Sequence, residues 1–220
     1  IVSFATGAFK SMCLNYEEDK ILNPCLIIIS TCLMGQTVPA CSLAGYGYHA
    51  TAIAGFNDVT GFPDLGPYLP WVAYTDTIAQ RFISILLASA NDHLRRTGEG
   101  VYIDVAQIET ALHFLAPEIL DFQSNGYMAT RMANRSRFAA PQGIYPAAGD
   151  DNWVAIGVET DEQFIGFSQL LDRQDWIDNP GLIGNEGRLK QQDENDRLYS
   201  EWTRTMEAGE AMNLLQAAGV

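Results

Sequence analysis

The side chain with the most chemistry to offer is Asp76, in the run Tyr74-Thr75-Asp76-Thr77 that leads into a stretch with helical spacing. Unpaired N–H groups and the dipole at a helix start stabilise a negative charge. A carboxylate there can cap the helix, or it can attack an acyl carbon as a nucleophile. Asp ahead of a helix is a common cap, while Thr77-x-x-Gln80 has capping-box spacing and would leave Asp76 free. The residues alone leave both readings open.

Other chemistry-bearing residues give weaker patterns. His49, His93 and His113 lie far apart and form no H-E-x-x-H pairing, so no metal site is expected. Cys13, Cys25, Cys32 and Cys41 lack C-x-x-C spacing and read as packed, reduced thiols of a cytoplasmic protein. Arg131, Arg135 and Arg137 share a polar stretch, where they either hold an anion through forked hydrogen bonds or face solvent. No G-x-S-x-G elbow, Walker-type phosphate loop or complete G-x-G-x-x-G motif is present; Gly45-Tyr46-Gly47 is only a fragment of the last.

The elements that must position Asp76 follow from periodicity and breakers. Residues 16–22 read as a short helix ended by Asn23-Pro24, and the isoleucine-rich run 25–31 as a buried strand. Residues 35–70 are Gly- and Pro-rich loop around a short helix at 49–56. A long helix is expected over 77–96, with Ile78, Phe82, Ile85 and Leu86 on one face and Gly98 as its stop. A strand at 101–105 follows, then one apolar-faced helix through Ile108, Leu112, Leu115, Ile119 and Phe122. Beyond these lie a strand at 153–158, a helix opened by the capping box Thr160-x-x-Gln163, and helical spacing in Leu198, Trp202 and Met206. The expected domains are residues 1–126, a linker at 127–146 and a smaller domain at 147–220.

Composition bounds the class. With 47% hydrophobic residues in 220, the chain can bury a sizeable core, and no apolar run reaches the length of a membrane span. A net charge of -14 opposes binding to a phosphate backbone, so neither nucleic acid nor membrane is an expected partner. The chain opens at Ile1 without an initiator Met and stops after an amphipathic run, so an internal fragment is expected.

Read as a string, the chain resembles the class III (CaiB/BaiF-type) coenzyme A transferases, which include formyl-CoA and carnitine CoA-transferases. The resemblance rests on Asn23-Pro24 with Leu26-Ile27-Ile28-Ile29-Ser30, Gly35-Gln36-Thr37, Ala44-Gly45-Tyr46, Thr60-Gly61 and Tyr74-Thr75-Asp76. It continues in Arg95-Arg96-Thr97-Gly98-Glu99-Gly100, Ile103-Asp104-Val105, Asn134-Arg135, Ala140-Pro141-Gln142-Gly143-Ile144-Tyr145-Pro146 and Trp153-Val154-Ala155-Ile156. It covers essentially all of this chain but about half of a usual family member.

The resemblance implies an α/β fold with part of a Rossmann-like large domain and part of a smaller α+β domain, in a family whose subunits form interlocked homodimers. It puts Asp76 in the place of the family's nucleophile. The implied reaction moves coenzyme A from an acyl-CoA donor to a small carboxylic acid through an aspartyl-CoA thioester, with CoA as substrate and no permanently bound cofactor. Phe4, Met12 and Tyr46 are carried over as CoA contacts, Phe4 because Ser3-Phe4-Ala5-Thr6-Gly7 stands where the family has N-F-x-P-G. Departures are Ser3, Thr6 and Ser11, the last replacing a basic residue, and Gly47, where some members carry glutamate. Two other readings are an α-methylacyl-CoA racemase, whose catalytic histidine would stand at Tyr46, and an inactive fragment of such an enzyme.

Overall fold

A computed structural model describes residues 1–4, 7–12 and 14–220, so Ala5 and Thr6 of the opening motif, and Cys13, lie outside the described residues. The chain divides into two units, Ile1–Arg131 and Met132–Val220.

In the first unit two short helices, α1 (Ala8–Ser11) and α2 (Tyr16–Leu22), precede strand β1 (Ile28–Cys32). β1 pairs in parallel with β2 (Tyr102–Ala106), in register from Ile28 opposite Tyr102 to Cys32 opposite Ala106. Val2 bridges to Ser30 in the same direction. Ile28, Ile29, Ser30 and Thr31 are all buried, as a parallel strand covered on both faces requires. The connection from β1 to β2 carries α3 (Gly47–Ile53), α4 (Phe56–Val59) and α5 (Tyr74–Thr97). After β2 come α6 (Gln107–Leu112), a 3-10 turn at His113–Leu115 and α7 (Ala116–Asn125).

Four expectations need correcting here. Helix α5 begins at Tyr74, three residues ahead of the expected start, so Asp76 is the third helical residue and not a cap. The cap position is Ala73, which has no side chain to bond with, and the Asp76 amide donates to the Ala73 carbonyl at 3.0 Å. Ile85, grouped on one face with Ile78, Phe82 and Leu86, is 64% exposed; the buried residues of α5 are Thr75, Ile78, Ala79 and Ala90. The expected single helix after β2 is broken because Pro117, in the first turn of α7, cannot donate a backbone bond and its ring would crowd the preceding turn. At its far end α5 stops as expected, on Gly98 with a left-handed φ of 79° and its N–H on the Leu94 carbonyl at 2.8 Å. Cys25 is exposed rather than packed, its Sγ 3.5 Å from the Gly98 carbonyl oxygen.

The second unit is built on an antiparallel pair, β3 (Gln142–Pro146) with β4 (Trp153–Gly157). β3 occupies the end of the stretch read as linker. In β4 exposure alternates, with Val154 and Ile156 inward and Trp153, Ala155 and Gly157 outward. Helix α8 (Asp161–Leu170) opens with the expected capping box, Thr160 Oγ1 accepting from the Gln163 amide and Gln163 Oε1 from the Thr160 amide, each at 3.2 Å. Short helices α9 (Gln174–Ile177) and α10 (Asn185–Lys190) lead to α11 (Gln192–Thr203) and α12 (Ala208–Ala217). The core gathers Tyr145, Val154, Ile156, Phe164, Phe167, Trp176 and Tyr199.

Candidate active site

Asp76 reaches its place through two helix starts. Its own helix, α5, fixes the backbone; α3 supplies the surface beneath the carboxylate. Gly47 is buried as the first residue of α3, and a Cβ built on it would overlap Asp76 Oδ2 and stand 2.5 Å from Cγ and 2.8 Å from Oδ1. The carboxylate therefore lies directly on the bare Cα of Gly47, where any Cβ would force the carboxylate to shift. The Gly47 carbonyl, on the same residue, accepts from Thr51 Oγ1 at 2.7 Å and from Thr75 Oγ1 at 2.9 Å.

The carboxylate lines a cleft of about 420 Å³, with Phe4, Tyr46, Thr31, Cys32, Leu33 and Gln107 among the other walls. Thr31 and Cys32 end β1, Leu33 immediately follows it, and Gln107 immediately follows β2. The cleft thus opens at the carboxyl ends of parallel strands, where α/β sheets bind ligands. Thr31 is buried, and its Oγ1 has no hydrogen-bond partner among the described residues.

Of the sequence-derived site residues, Asp76, Phe4 and Tyr46 share this cleft, and Met12 does not line it. Met12 is exposed just past α1, its amide on the Ala8 carbonyl at 3.2 Å. His49 is exposed and caps its own helix, Nδ1 accepting from the Tyr46 amide at 3.0 Å. His113 stacks on Phe82 with ring centroids 5.3 Å apart. Among the described residues no cluster of three or more His, Cys, Asp or Glu side chains could hold a metal, and no helix is long and apolar enough to cross a membrane. Arg131 pairs with Asp58 at 3.5 Å, and Arg135 with Asp193 and Asp196 at 2.6 Å each. Sequence reasoning missed Thr75, Thr51 and Thr31; a hydroxyl in Tyr-Thr-Asp carries no local sign that it will be buried against a distant carbonyl.

Fold and cleft together define an α/β protein with a carboxylate seated at the carboxyl ends of parallel strands. The chain belongs to CoA-transferase family III, which it matches over residues 1–220. It is 30% identical to the succinyl-CoA–D-citramalate CoA-transferase of Chloroflexus aurantiacus over 218 residues, 99% of this chain and 54% of that protein. It is 28% identical to the succinate–glutarate CoA-transferase of Agrobacterium fabrum, over 87% of this chain and 49% of that one. A crystal structure of a CaiB/BaiF family protein from Brucella suis superposes with a TM-score of 0.85 at 28% identity, covering 99% of this chain and 57% of the other. The chain spans about half the length of the curated relatives it matches.

Proposed function

We propose that the protein transfers coenzyme A from an acyl-CoA donor to a small carboxylic acid, with Asp76 as the covalent nucleophile. The observation that carries this reading is the seating of the Asp76 carboxylate on Gly47 inside the cleft. Asp76 attacks the donor thioester carbonyl, forming an acyl-aspartyl anhydride and releasing CoA thiolate. The thiolate attacks the aspartyl carbonyl, giving an Asp76–CoA thioester and the free donor acid. The acceptor carboxylate attacks that thioester, and the returning thiolate takes the acceptor acyl group and restores Asp76. Each tetrahedral oxyanion needs an oriented donor, and the anhydride needs water excluded. The N–H groups at the helix starts beside Asp76 are suited to the first task.

Phe4 and Tyr46, in the same cleft, are the proposed CoA contacts, and Met12, which does not line it, is set aside. The relatives' names favour succinyl-CoA as donor and a short dicarboxylic acid as acceptor. The proposal includes a homodimeric, cytoplasmic enzyme. A racemase would need an imidazole facing the substrate, and His49 Nδ1 is engaged with the Tyr46 amide.

The test is to incubate the full natural chain containing these residues with succinyl-CoA and a panel of citramalate, glutarate, oxalate and malate. Appearance of a new acyl-CoA at the rate succinyl-CoA disappears is the expected result. Hydrolysis alone, or exchange of an α proton without transfer, would refute it.

A further inference from the structure

We infer that the buried Thr75 hydroxyl is a positioning residue for Asp76, tying the first turn of α5 to the first residue of α3. This rests on the reading of Asp76 as nucleophile. Thr75 and Thr51 are both 0% exposed, and both hydroxyls donate to the Gly47 carbonyl. The two bonds differ in reach. Thr51 bonds back to the carbonyl four residues earlier in its own helix, whereas Thr75 crosses from α5 to α3.

Thr75 and Asp76 are consecutive, so one short stretch of α5 meets Gly47 twice. The Thr75 hydroxyl holds its carbonyl, and the Asp76 carboxylate rests on its Cα. Packing alone would let the two helices slide, because dispersion contacts have little directionality. A buried hydrogen bond is directional and costly to leave unmade, so it fixes the spacing at which the carboxylate meets the cleft. Nucleophilic attack is sensitive to that spacing, a misplacement of about 1 Å costing on the order of 100-fold in rate.

The experiment compares Thr75→Val, Thr75→Ser and Thr51→Val in the full natural chain, measuring kcat, KM for the acyl-CoA and Tm. Thr75→Val is expected to lower kcat by about 10- to 100-fold with KM changed less than about threefold. Thr75→Ser, which keeps the hydroxyl, is expected to restore most of kcat even if it lowers Tm. Thr51→Val, which removes only the bond within α3, is expected to lose much less kcat than Thr75→Val. Equal kcat losses in the two valine variants, a Thr75→Val enzyme with unaltered kcat, or a Thr75→Ser enzyme as slow as Thr75→Val would each overturn the inference. Should the unaltered chain catalyse no transfer, the proposed function itself fails and the positioning role falls with it.

Discussion

Gly47 and Asp76 constrain each other, and that contact makes a sharp prediction. A methyl group at position 47 would occupy the space of the carboxylate, so Gly47→Ala must push Asp76 off its seat. Transfer activity is expected to fall on the order of 100-fold while acyl-CoA affinity, measured by calorimetry, changes little. Unchanged turnover would mean that the carboxylate does not react from this position. The sequence placed Asp76 at a helix mouth because local residue order carries that information. It could not show that the carboxylate is seated on Gly47 and not spent as a cap, because Gly47 lies in a different helix. The absence of glutamate at Gly47 was visible as a departure from the family pattern, whereas the contact of its Cα with the Asp76 carboxylate needed the fold.

Elements whose ends are set by local chemistry were legible: the Thr160-Gln163 box starts α8 and Gly98 stops α5. Helix α11 was legible in type, and Leu198 and Trp202 of its spacing do pack against the core; the polar residues buried beside them were not legible. The fully buried residues of α11 are Gln192, Asn195, Tyr199 and Thr203, with Leu198, Trp202 and, beyond the helix, Met206 partly buried against the same core. Polar residues go inward because strand β3 offers acceptors, the Gln142 carbonyl to Gln192 Nε2 at 3.2 Å and the Pro146 carbonyl to Thr203 Oγ1 at 2.8 Å. Arg188 is a second hidden case. It is 3% exposed, lies over the Phe164 ring, donates to the Ala140 carbonyl at 2.9 Å and pairs with Asp161 at 2.5 Å. Bonds from Arg188 and then from the Gly184 amide hold the Asp161 carboxyl below the usual carboxylate range. A depressed folded-state pKa stabilises the fold fully above the ordinary value of about 4, and that contribution is lost as pH falls through the lower, folded value. Asp161→Asn is therefore expected to destabilise the fold at neutral pH, modestly because the Asp161 side chain is partly exposed and screened by solvent, and less so in acid, where the parent's contribution declines. Urea unfolding at pH 7 and pH 3 checks this; an equal cost at both would contradict it.

For the whole molecule, the chain's own described surface leaves large apolar side chains uncovered, Trp71 at 89% and Leu22 at 87% exposed. Burying one such side chain contributes about 1.5–3 kcal/mol, which the proposed homodimer can supply. Sedimentation of the full natural chain is expected to give a dimer at micromolar concentration; a monomer would contradict that part of the proposal. Fold class was readable from the alternation of helices and strands, whereas the cleft was not, since its walls come from segments that only the parallel pairing of β1 and β2 brings together. Covalent chemistry at Asp76 is the claim on which the rest depends. Its most direct test is mass spectrometry of the full natural chain after incubation with succinyl-CoA and hydroxylamine, beside Asp76→Ala. A hydroxamate on Asp76, absent from the variant and accompanied there by a loss of transfer of about 10⁴-fold or more, is the expected result. An unmodified Asp76 in a chain that still transfers CoA would contradict the account.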